Sequence, residues 1–355
     1  MSDLNVVGPK AARRAIEASI RCRRPVFLWG PMGIGKSDTV VQIGRDTNRK
    51  VIDVRLALWD PVDIRGMPYF DHDSKTMLWA PPAELPKMGN AILFLDELPS
   101  APPAVQAAAY QLILNRRVGM YELPEGVDIV AAGNRNCDKG VTHPMPAPLA
   151  NRFVHIEMKA VFDDYNEWAV LNKQAAQVVG YLNYAKSDLF AFDSKSNSHA
   201  FPTPRSWSFV SDFVNDPYID EGTLTTLVAG TIGDGAAAKF MAHRKIVHLM
   251  PKPIDVLTGV VKKLDVTEIS AHYSLVTELC YELREQHQKK AKNWNEMFDE
   301  FLSFLMNNMT AELVTVGART ALATFQLPVD PSKLKNFDEF HKKYGKFIIA
   351  AVANK

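Results

Sequence analysis

The sequence predicts an α/β protein whose central parallel sheet lies in about residues 1–160 and whose remaining residues are helical. Three observations support this fold class. Short apolar runs alternate with stretches of helical periodicity up to about residue 160, which is typical of parallel strands joined by crossover helices. After that point helical periodicity prevails. The length of 355 residues exceeds that of one compact α/β unit, so two or three domains are expected.

Five apolar runs in the first part are predicted to be strands of one sheet, because they are short and are bounded by turn residues. The most apolar of them, AILFL, has the continuous pattern of a strand that is buried on both faces. The predicted helices are residues 9–21, about 36–47, and 104–114. The predicted strands are residues 25–29, 51–56, 91–95, 127–132 and 153–158.

The second part of the chain is predicted to be helical in two blocks. A polar segment at residues 188–199 is expected to be a loop, and Pro251 and Pro253 break the chain again. We therefore predict a helical domain at 161–250 and a helical C-terminal extension at 251–355. The predicted helices are residues 165–184, 206–214, 224–228, 236–243, 270–290, 294–307 and 337–352.

Composition narrows the classes of function. The 41 basic and 40 acidic residues give a net charge of +1, which argues against a dedicated nucleic-acid binder. The three cysteines, Cys22, Cys137 and Cys280, are odd in number and widely spaced, with no CxxC pair, so neither a disulfide framework nor a zinc site is indicated. The N-terminus has no apolar leader and no run is long enough to cross a membrane, so a cytoplasmic location is expected.

A glycine-rich segment, GPMGIGKS, lies between the first predicted strand and the next helix and fits the pattern GxxxxGK[ST]. Glycines let backbone N–H groups surround a phosphate, and the helix N-terminus adds its dipole. Lys36 is expected to contact the β- and γ-phosphates of ATP, and Ser37 to bind Mg²⁺. The nucleotide-binding residues predicted here are Gly30, Met32, Gly33, Ile34, Gly35, Lys36, Ser37 and Asp38.

Four further residues complete a candidate site for ATP hydrolysis. The strand ILFL ends in Asp96, expected to hold Mg²⁺ through water, and in Glu97, a candidate general base. Asn134 follows a predicted strand at the edge where open α/β sheets bind ligands, and could orient the attacking water. Arg152 ends a short helix. A turn asparagine and an arginine that favours a helix C-terminus are the alternative explanations of the last two residues.

The order of these residues resembles that of AAA+ ATPases, in which Asn134 would be sensor 1 and Arg152 the arginine finger. A segment at about 60–82, with DPVDIRG, an aromatic hairpin and WAPP, is similar to the helix-2 insert of the MoxR branch, which includes CbbQ/NirQ/NorQ-type activators. RVGMYELP, within about 116–126, resembles that branch's pre-sensor-1 hairpin. FPTPRSW resembles its sensor 2 motif, with Arg205.

The resemblance covers about residues 1–250 and implies a ring, usually a hexamer in this family, that hydrolyses ATP and remodels a protein partner. Arg152 of one subunit would then act on the nucleotide of its neighbour. In this family the partner is often a protein of the von Willebrand factor A type. The context Gly133-Asn134-Arg135 departs from the usual sensor 1 sequence, which leaves open whether Arg135 contacts phosphate.

Two other functions share part of this pattern. A nucleic-acid motor or loader is the first, because basic stretches occur at 284–292 and 342–346, although the net charge disfavours it. A small-molecule kinase is the second, since it uses the same phosphate loop.

For the apolar residues of the two hairpins, such as Phe70 and Tyr121, ordinary packing is the expected role, with contact to a partner as the alternative. His72 is assigned to a solvated turn, and Cys137 with His143 are too few ligands for a metal.

Overall fold

The structure is a computed structural model that describes residues 3–135, 138, 142–193 and 198–353. Its contacts divide the chain into two compact units. The first unit ends at Asp164 and also includes Asp193, and the second takes the other described residues from Tyr165 onward. The predicted division of the helical part at residue 250 stays a prediction. Within the described residues, no helix combines the length and apolarity that a membrane span requires.

The first unit is built on a six-stranded, fully parallel sheet, which confirms the predicted α/β fold class. Two antiparallel hairpins stand apart from this sheet, β4 with β5 and β7 with β8. The order of strands in the sheet is β1-β10-β2-β9-β6-β3. In chain order the strands are β1 (Val6–Val7), β2 (Val26–Trp29), β3 (Lys50–Arg55), β4 (Met67–Asp71), β5 (Thr76–Ala80), β6 (Ala91–Asp96), β7 (Arg117–Val118), β8 (Tyr121–Glu122), β9 (Asp128–Gly133) and β10 (Val154–Met158).

Helices cover both faces of the sheet, because its central strands are apolar on both sides. All six residues of β6 are buried. Leu93 and Leu95 join the apolar cluster that includes α4, while Ile92 and Phe94 face the opposite side by strand alternation. The helices of this unit are α1 (Pro9–Arg21), α2 (Lys36–Asp46), α3 (Pro61–Arg65), α4 (Pro103–Asn115) and α5 (Ala147–Ala150), and α6 (Phe162–Leu171) begins in it.

The second unit is helical, as predicted. The expected single helical stretch at 165–184 is interrupted after α6, where Lys173 adopts a left-handed conformation with φ of 55°. The predicted loop at 188–199 begins inside a short 3-10 helix, Lys186–Leu189, and residues 194–197 lie outside the described part. The remaining helices are α7 (Ala176–Tyr184), α8 (Pro204–Asn215), α9 (Glu221–Ile232), α10 (Asp234–Val247), α11 (Pro253–Leu257), α12 (Ile269–Gln288), α13 (Trp294–Asn308), α14 (Ala311–Arg319) and α15 (Phe337–Ala353).

Helices α7 and α12 approach closely because α7 carries a glycine where they meet. A Cβ atom on Gly180 would lie 2.2 Å from Oγ and 2.4 Å from Cα of Ser274. The Ser274 hydroxyl is itself within 2.9 Å of Nε2 of His243, a buried residue of α10. Burial lowers the pKa of His243 to about 4, so its ring is neutral at pH 7. The contact therefore joins three helices without burying a charge.

We expect Gly180→Ala to lower the free energy of unfolding by about 1–3 kcal/mol, because the added methyl group overpacks this contact. The matched control is Gly230→Ala in α9, where a Cβ would meet nothing within 4 Å. That substitution should raise the free energy of unfolding by about 0.5–1 kcal/mol through helix propensity. Urea denaturation of both variants measures the difference, and equal stabilities would contradict the packing described for α7 and α12.

Candidate nucleotide-binding site

The glycine-rich loop joins β2 to α2, as the sequence predicts, and three of its glycines have positive φ angles. These are 152° at Gly30, 74° at Gly33 and 89° at Gly35. A Cβ on Gly30 would lie 2.4 Å from the carbonyl oxygen of Met158, so the start of the loop packs tightly against β10. A Cβ on Gly35 would meet nothing within 4 Å. The loop is therefore closed against the sheet at one end and open beside the start of α2.

The other residues of the predicted loop have distinct environments. Ile34 is buried, and its Cδ1 atom lies 2.9 Å from the position of a Cβ on Gly30. Its side chain thus anchors the loop, and only its backbone is available to a phosphate. Met32 is half-buried, and Asp38 is exposed in the first turn of α2.

The Lys36 side chain is buried and lies over its own loop. Its ammonium group donates hydrogen bonds to the carbonyl oxygens of Gly30 and Pro31, at 2.7 and 2.8 Å, and to Oδ1 of Asn134 at 3.0 Å. A buried ammonium group requires such acceptors because losing water is costly. The structure thus brings together Lys36 and Asn134, which are 98 residues apart in the chain.

Ser37 and Asp96 form the second contact of the site. The Ser37 hydroxyl donates to Oδ2 of Asp96 at 2.9 Å, and Oδ1 of Asp96 accepts the backbone N–H of Glu97, also at 2.9 Å. Mg²⁺ takes oxygen ligands and usually keeps several waters. Beside the open space at Gly35, the Ser37 hydroxyl would bind such an ion directly and Asp96 would hold it through one of those waters.

Glu97 is exposed just beyond β6 and has a left-handed backbone, with φ of 55°. For a residue other than glycine, this conformation costs on the order of 1 kcal/mol or more, and it is often found at functional sites. The hydrogen bond from its backbone N–H to Asp96 holds it in place. Within the described part of the chain, its carboxylate makes no hydrogen bond or ion pair, which suits a group that must accept a proton from water.

Asp53, which the sequence analysis did not select, lies near this site on β3. Burial and the negative charge of Asp96 raise the pKa of Asp53, while Arg55, with Nε 3.7 Å from its carboxylate, opposes the shift. The strand register explains why Asp53 lies near Asp96. Arg55, two residues after Asp53 on β3, is level with Asp96 on the neighbouring strand β6. In the sequence, the only indication of this contact was the pair of opposite charges, Asp53 and Arg55, within the predicted strand at 51–56.

Arg135 follows Asn134, and its guanidinium is bound by two carboxylates. Its Nε and Nη2 donate to Asp138 at 3.0 and 2.8 Å, and its Nη1 donates to Glu157 of β10 at 2.5 Å. In the sheet, β2 lies between β9 and β10. The ion pair between Arg135, which follows β9, and Glu157 of β10 therefore crosses the end of β2, where the phosphate loop begins. Arg135 thus joins the end of β9 to Asp138 and to β10. Cys137 lies outside the described residues.

Arg152 lies where the parallel strands begin, whereas the phosphate loop lies where they end. It precedes β10, whose first residue, Val154, is level with Val26 at the start of β2, whereas the phosphate loop leaves the end of β2. Four residues of strand separate the two levels by about 13 Å. Arg152 is exposed, and its guanidinium has no hydrogen-bond or ion-pair partner among the residues that the structure describes. It is not brought to Lys36 of the same chain.

Arg205 lies in the second unit, exposed in the first turn of α8. Thr203 and Ser206 form a capping box that fixes the start of this helix. The sensor 2 role of Arg205 remains a prediction.

The two hairpins of the first unit expose apolar side chains, so packing was the wrong expectation for several of them. Met67, Phe70, Met77 and Met120 are more than half exposed. Tyr121, by contrast, is buried and donates to the carbonyl oxygen of Pro86 at 2.6 Å, as packing predicts.

The hairpins also contact each other, because the backbone N–H of Trp79 donates to Sδ of Met120 at 3.4 Å. A groove of about 510 Å³ lies at the base of the first hairpin, lined by Leu58, Trp59, Val62, Asp63, Gly66, Met67, Ala80, Pro81, Pro82 and Glu84.

No protein-family model matches the chain. Among solved structures, a protein of Cytophaga hutchinsonii described as a candidate ATPase has 13% identity and a TM-score of 0.36, covering 90% of this chain and 81% of its own. RuvB of Thermotoga maritima, a Holliday junction branch migration motor, has 17% identity, a TM-score of 0.37 and coverages of 68% and 74%. NtrX of Brucella abortus, solved with ADP, has 14% identity, a TM-score of 0.36 and coverages of 97% and 70%. Structural similarity at this level supports no conclusion about the function of this chain.

We expect Lys36→Ala to abolish binding of a fluorescent ATP analogue, because the ammonium group is the cation that a phosphate would meet in this loop. Lys50→Ala is the matched control, since Lys50 is exposed at the start of β3, at the opposite edge of the sheet. The control should bind as the unmodified protein does. Equal affinities of the two variants would remove Lys36 from the site.

Proposed function

We propose that this chain is an ATP-hydrolysing ring ATPase of the AAA+ class and MoxR type, which remodels or activates a protein partner in the cytoplasm. The observation that carries the proposal is the convergence of four residues on the end of β2. Lys36 meets Asn134, and Ser37 meets Asp96, through hydrogen bonds of 3.0 and 2.9 Å. A cation, an amide and two oxygen ligands beside an open glycine-rich loop are the groups that phosphoryl transfer requires.

Each residue has a task in the proposed hydrolysis. Lys36 would exchange its carbonyl acceptors for phosphate oxygens, and Asn134 would orient the attacking water. The water oxygen forms a bond to the γ-phosphorus, the bond to the bridging oxygen of ADP breaks, and Glu97 accepts the proton. A Mg²⁺ ion held by Ser37 and Asp96 would supply positive charge to the phosphates.

The position of Arg152 supports a ring, whose expected size in this family is a hexamer. Its guanidinium is exposed and about 13 Å of strand separates its level from the phosphate loop of its own chain. An arginine finger must reach the transferred phosphoryl group, and a finger supplied by a partner accelerates hydrolysis by about 10³–10⁵ in other phosphate-loop enzymes. A neighbouring subunit is the place where Arg152 could do this.

A protein partner, for which a von Willebrand factor A-type protein is the proposed candidate, suits the surface better than a nucleic acid does. Several of the exposed side chains of the hairpins, such as Met67, Phe70 and Met120, are apolar, whereas nucleic-acid sites are basic. In the basic stretch at 284–292, Arg284 lies over the ring of Phe325 at 4.6 Å, and Lys289 pairs with Glu285. These contacts reduce the free positive charge that could meet phosphates there.

We expect Glu97→Gln to bind ATP but to hydrolyse it at least about 100-fold more slowly, because the amide cannot accept the proton. Phosphate release measures turnover, and the fluorescent analogue measures binding. Glu122→Gln, on the exposed edge of the second hairpin, is the control and should retain full turnover.

The same Glu97→Gln variant, held with ATP, serves to capture the partner. Recovery of a single protein supports the remodelling function, whereas recovery of nucleic acid alone, with salt-sensitive stimulation of the ATPase by DNA, would replace it with a nucleic-acid motor. Wild-type turnover by Glu97→Gln would remove Glu97 as the base.

We expect Arg152→Ala alone to lose most turnover while retaining ATP binding. Mixing it with Glu97→Gln subunits should restore turnover. At a mixed interface, the Arg152→Ala subunit supplies Glu97 and the Glu97→Gln subunit supplies Arg152. Arg24→Ala is the control, since Arg24 is also exposed at the edge where β2 starts. Full activity of unmixed Arg152→Ala would exclude the finger role.

A further inference from the structure

Two hydrogen bonds connect the strand that leads into the phosphate loop with the helix that precedes Arg152. The indole N–H of Trp29 donates to Nδ1 of His155 at 2.9 Å, and Nε2 of His155 lies 2.8 Å from the carbonyl oxygen of Ala150. An indole nitrogen can only donate, so Nδ1 must be the acceptor. The proton of the neutral ring is therefore on Nε2, which donates to Ala150.

The ends of this chain of bonds are adjacent to the two predicted functional elements. Trp29 is the last residue of β2 and immediately precedes Gly30 of the phosphate loop. Ala150 is the last residue of α5, and its carbonyl oxygen also accepts the backbone N–H of Phe153 at 3.1 Å. Arg152 thus lies within a turn that His155 holds at one end.

The turn needs an external support because α5 is only four residues long. A helix of that length has no stability of its own. Arg152 N–H donates to the carbonyl oxygen of Leu149 at 3.1 Å, which shapes the turn but does not attach it to the sheet. His155 belongs to β10, which pairs directly with β2, so its ring provides an attachment to the sheet.

Aromatic packing keeps the ring in place between these bonds. The rings of Trp29 and His155 are stacked, with centroids 6.1 Å apart, and Phe27 lies 4.2 Å from Trp29. Phe27 also contacts Phe153 edge to face at 5.4 Å. The His155 ring is therefore packed within an aromatic cluster on one face of the sheet. This packing limits the orientations of the ring and so supports both hydrogen bonds.

We propose that His155 is a positioning residue that fixes the Arg152 turn to β2, with Trp29 setting its tautomer. The inference rests on the proposed function, because the position of Arg152 matters only if a neighbouring subunit uses it. A shift of about 1 Å in a group that stabilises a transition state can cost about 100-fold in rate. Loosening the turn should therefore lower kcat and leave nucleotide binding within the same subunit intact.

The first test is Trp29→Phe, which removes the N–H and keeps an aromatic ring beside Phe27. We expect kcat to fall about 10- to 100-fold, with the affinity for the fluorescent ATP analogue unchanged within about twofold. Trp294→Phe is the matched control, since it removes an indole hydrogen bond to the Pro328 carbonyl, of 3.1 Å, in the second unit. The control should retain the wild-type kcat.

The second test is His155→Phe, which removes both hydrogen bonds and keeps a ring. Its kcat should fall to the same range, and the double variant with Trp29→Phe should be no slower than the slower single variant. Mixing either variant with Glu97→Gln subunits should restore turnover to the level that Arg152→Ala reaches in such a mixture. A variant that had only lost fold stability would not be restored in this way.

Histidine tautomers give a readout independent of activity. In ¹⁵N NMR spectra of the unmodified protein, His155 should be the Nε2–H tautomer, and Trp29→Phe should shift it towards a mixture. Wild-type kcat in both ring variants, or loss of nucleotide binding by Trp29→Phe, would overturn the positioning role. Absence of ATPase activity in the unmodified protein would instead refute the proposed function, and full activity of Arg152→Ala would refute the finger.

Discussion

The register of β2 within the parallel sheet decides where the candidate residues of the first unit lie. Trp29, at the end of β2, is level with Gly133 of β9 and with Glu157 of β10. The phosphate loop therefore leaves the sheet between the residue after Gly133, which is Asn134, and Glu157. A shift of β2 by one residue would turn its side chains to the opposite face and would remove the tight contact of Gly30 with β10.

The same register gives the two edges of the sheet different tasks in the proposed mechanism. Lys36, Ser37, Asp96 and Asn134 gather at the edge where the parallel strands end. Arg152 precedes β10 and so lies at the edge where the strands begin. A parallel sheet keeps these edges a strand length apart, so Arg152 lies far from the phosphate loop of its own chain. In the proposed mechanism, Arg152 would therefore act on the nucleotide of a neighbouring subunit.

The sequence predicted five of the six strands of the sheet and the residues that gather at its edge, because both follow from local patterns and one topological rule. The glycine-rich loop lies within a single strand–helix unit, and Asp96 and Asn134 stand at the carboxyl ends of apolar strands, which meet at one edge of a parallel sheet. The contacts of Asp53, His155 and Arg135 could not be predicted in this way. They depend on which side of a strand a residue faces and on which strand is adjacent, and a two-residue strand such as β1 leaves almost no periodicity to detect.

The exposed side chains of the first hairpin show why local pattern failed there, and they bear on the partner. Alternation of apolar residues predicts a strand with one buried face, but an isolated two-stranded hairpin has no second layer to cover that face. Met67, Phe70 and Met77 therefore remain more than half exposed, and Met67 also lines the groove at the base of the hairpin. Flexible methionine side chains such as Met67 and Met77 can adapt to the irregular shape of a protein partner. These apolar side chains offer no contact to a phosphate, and they support the proposal that the partner is a protein.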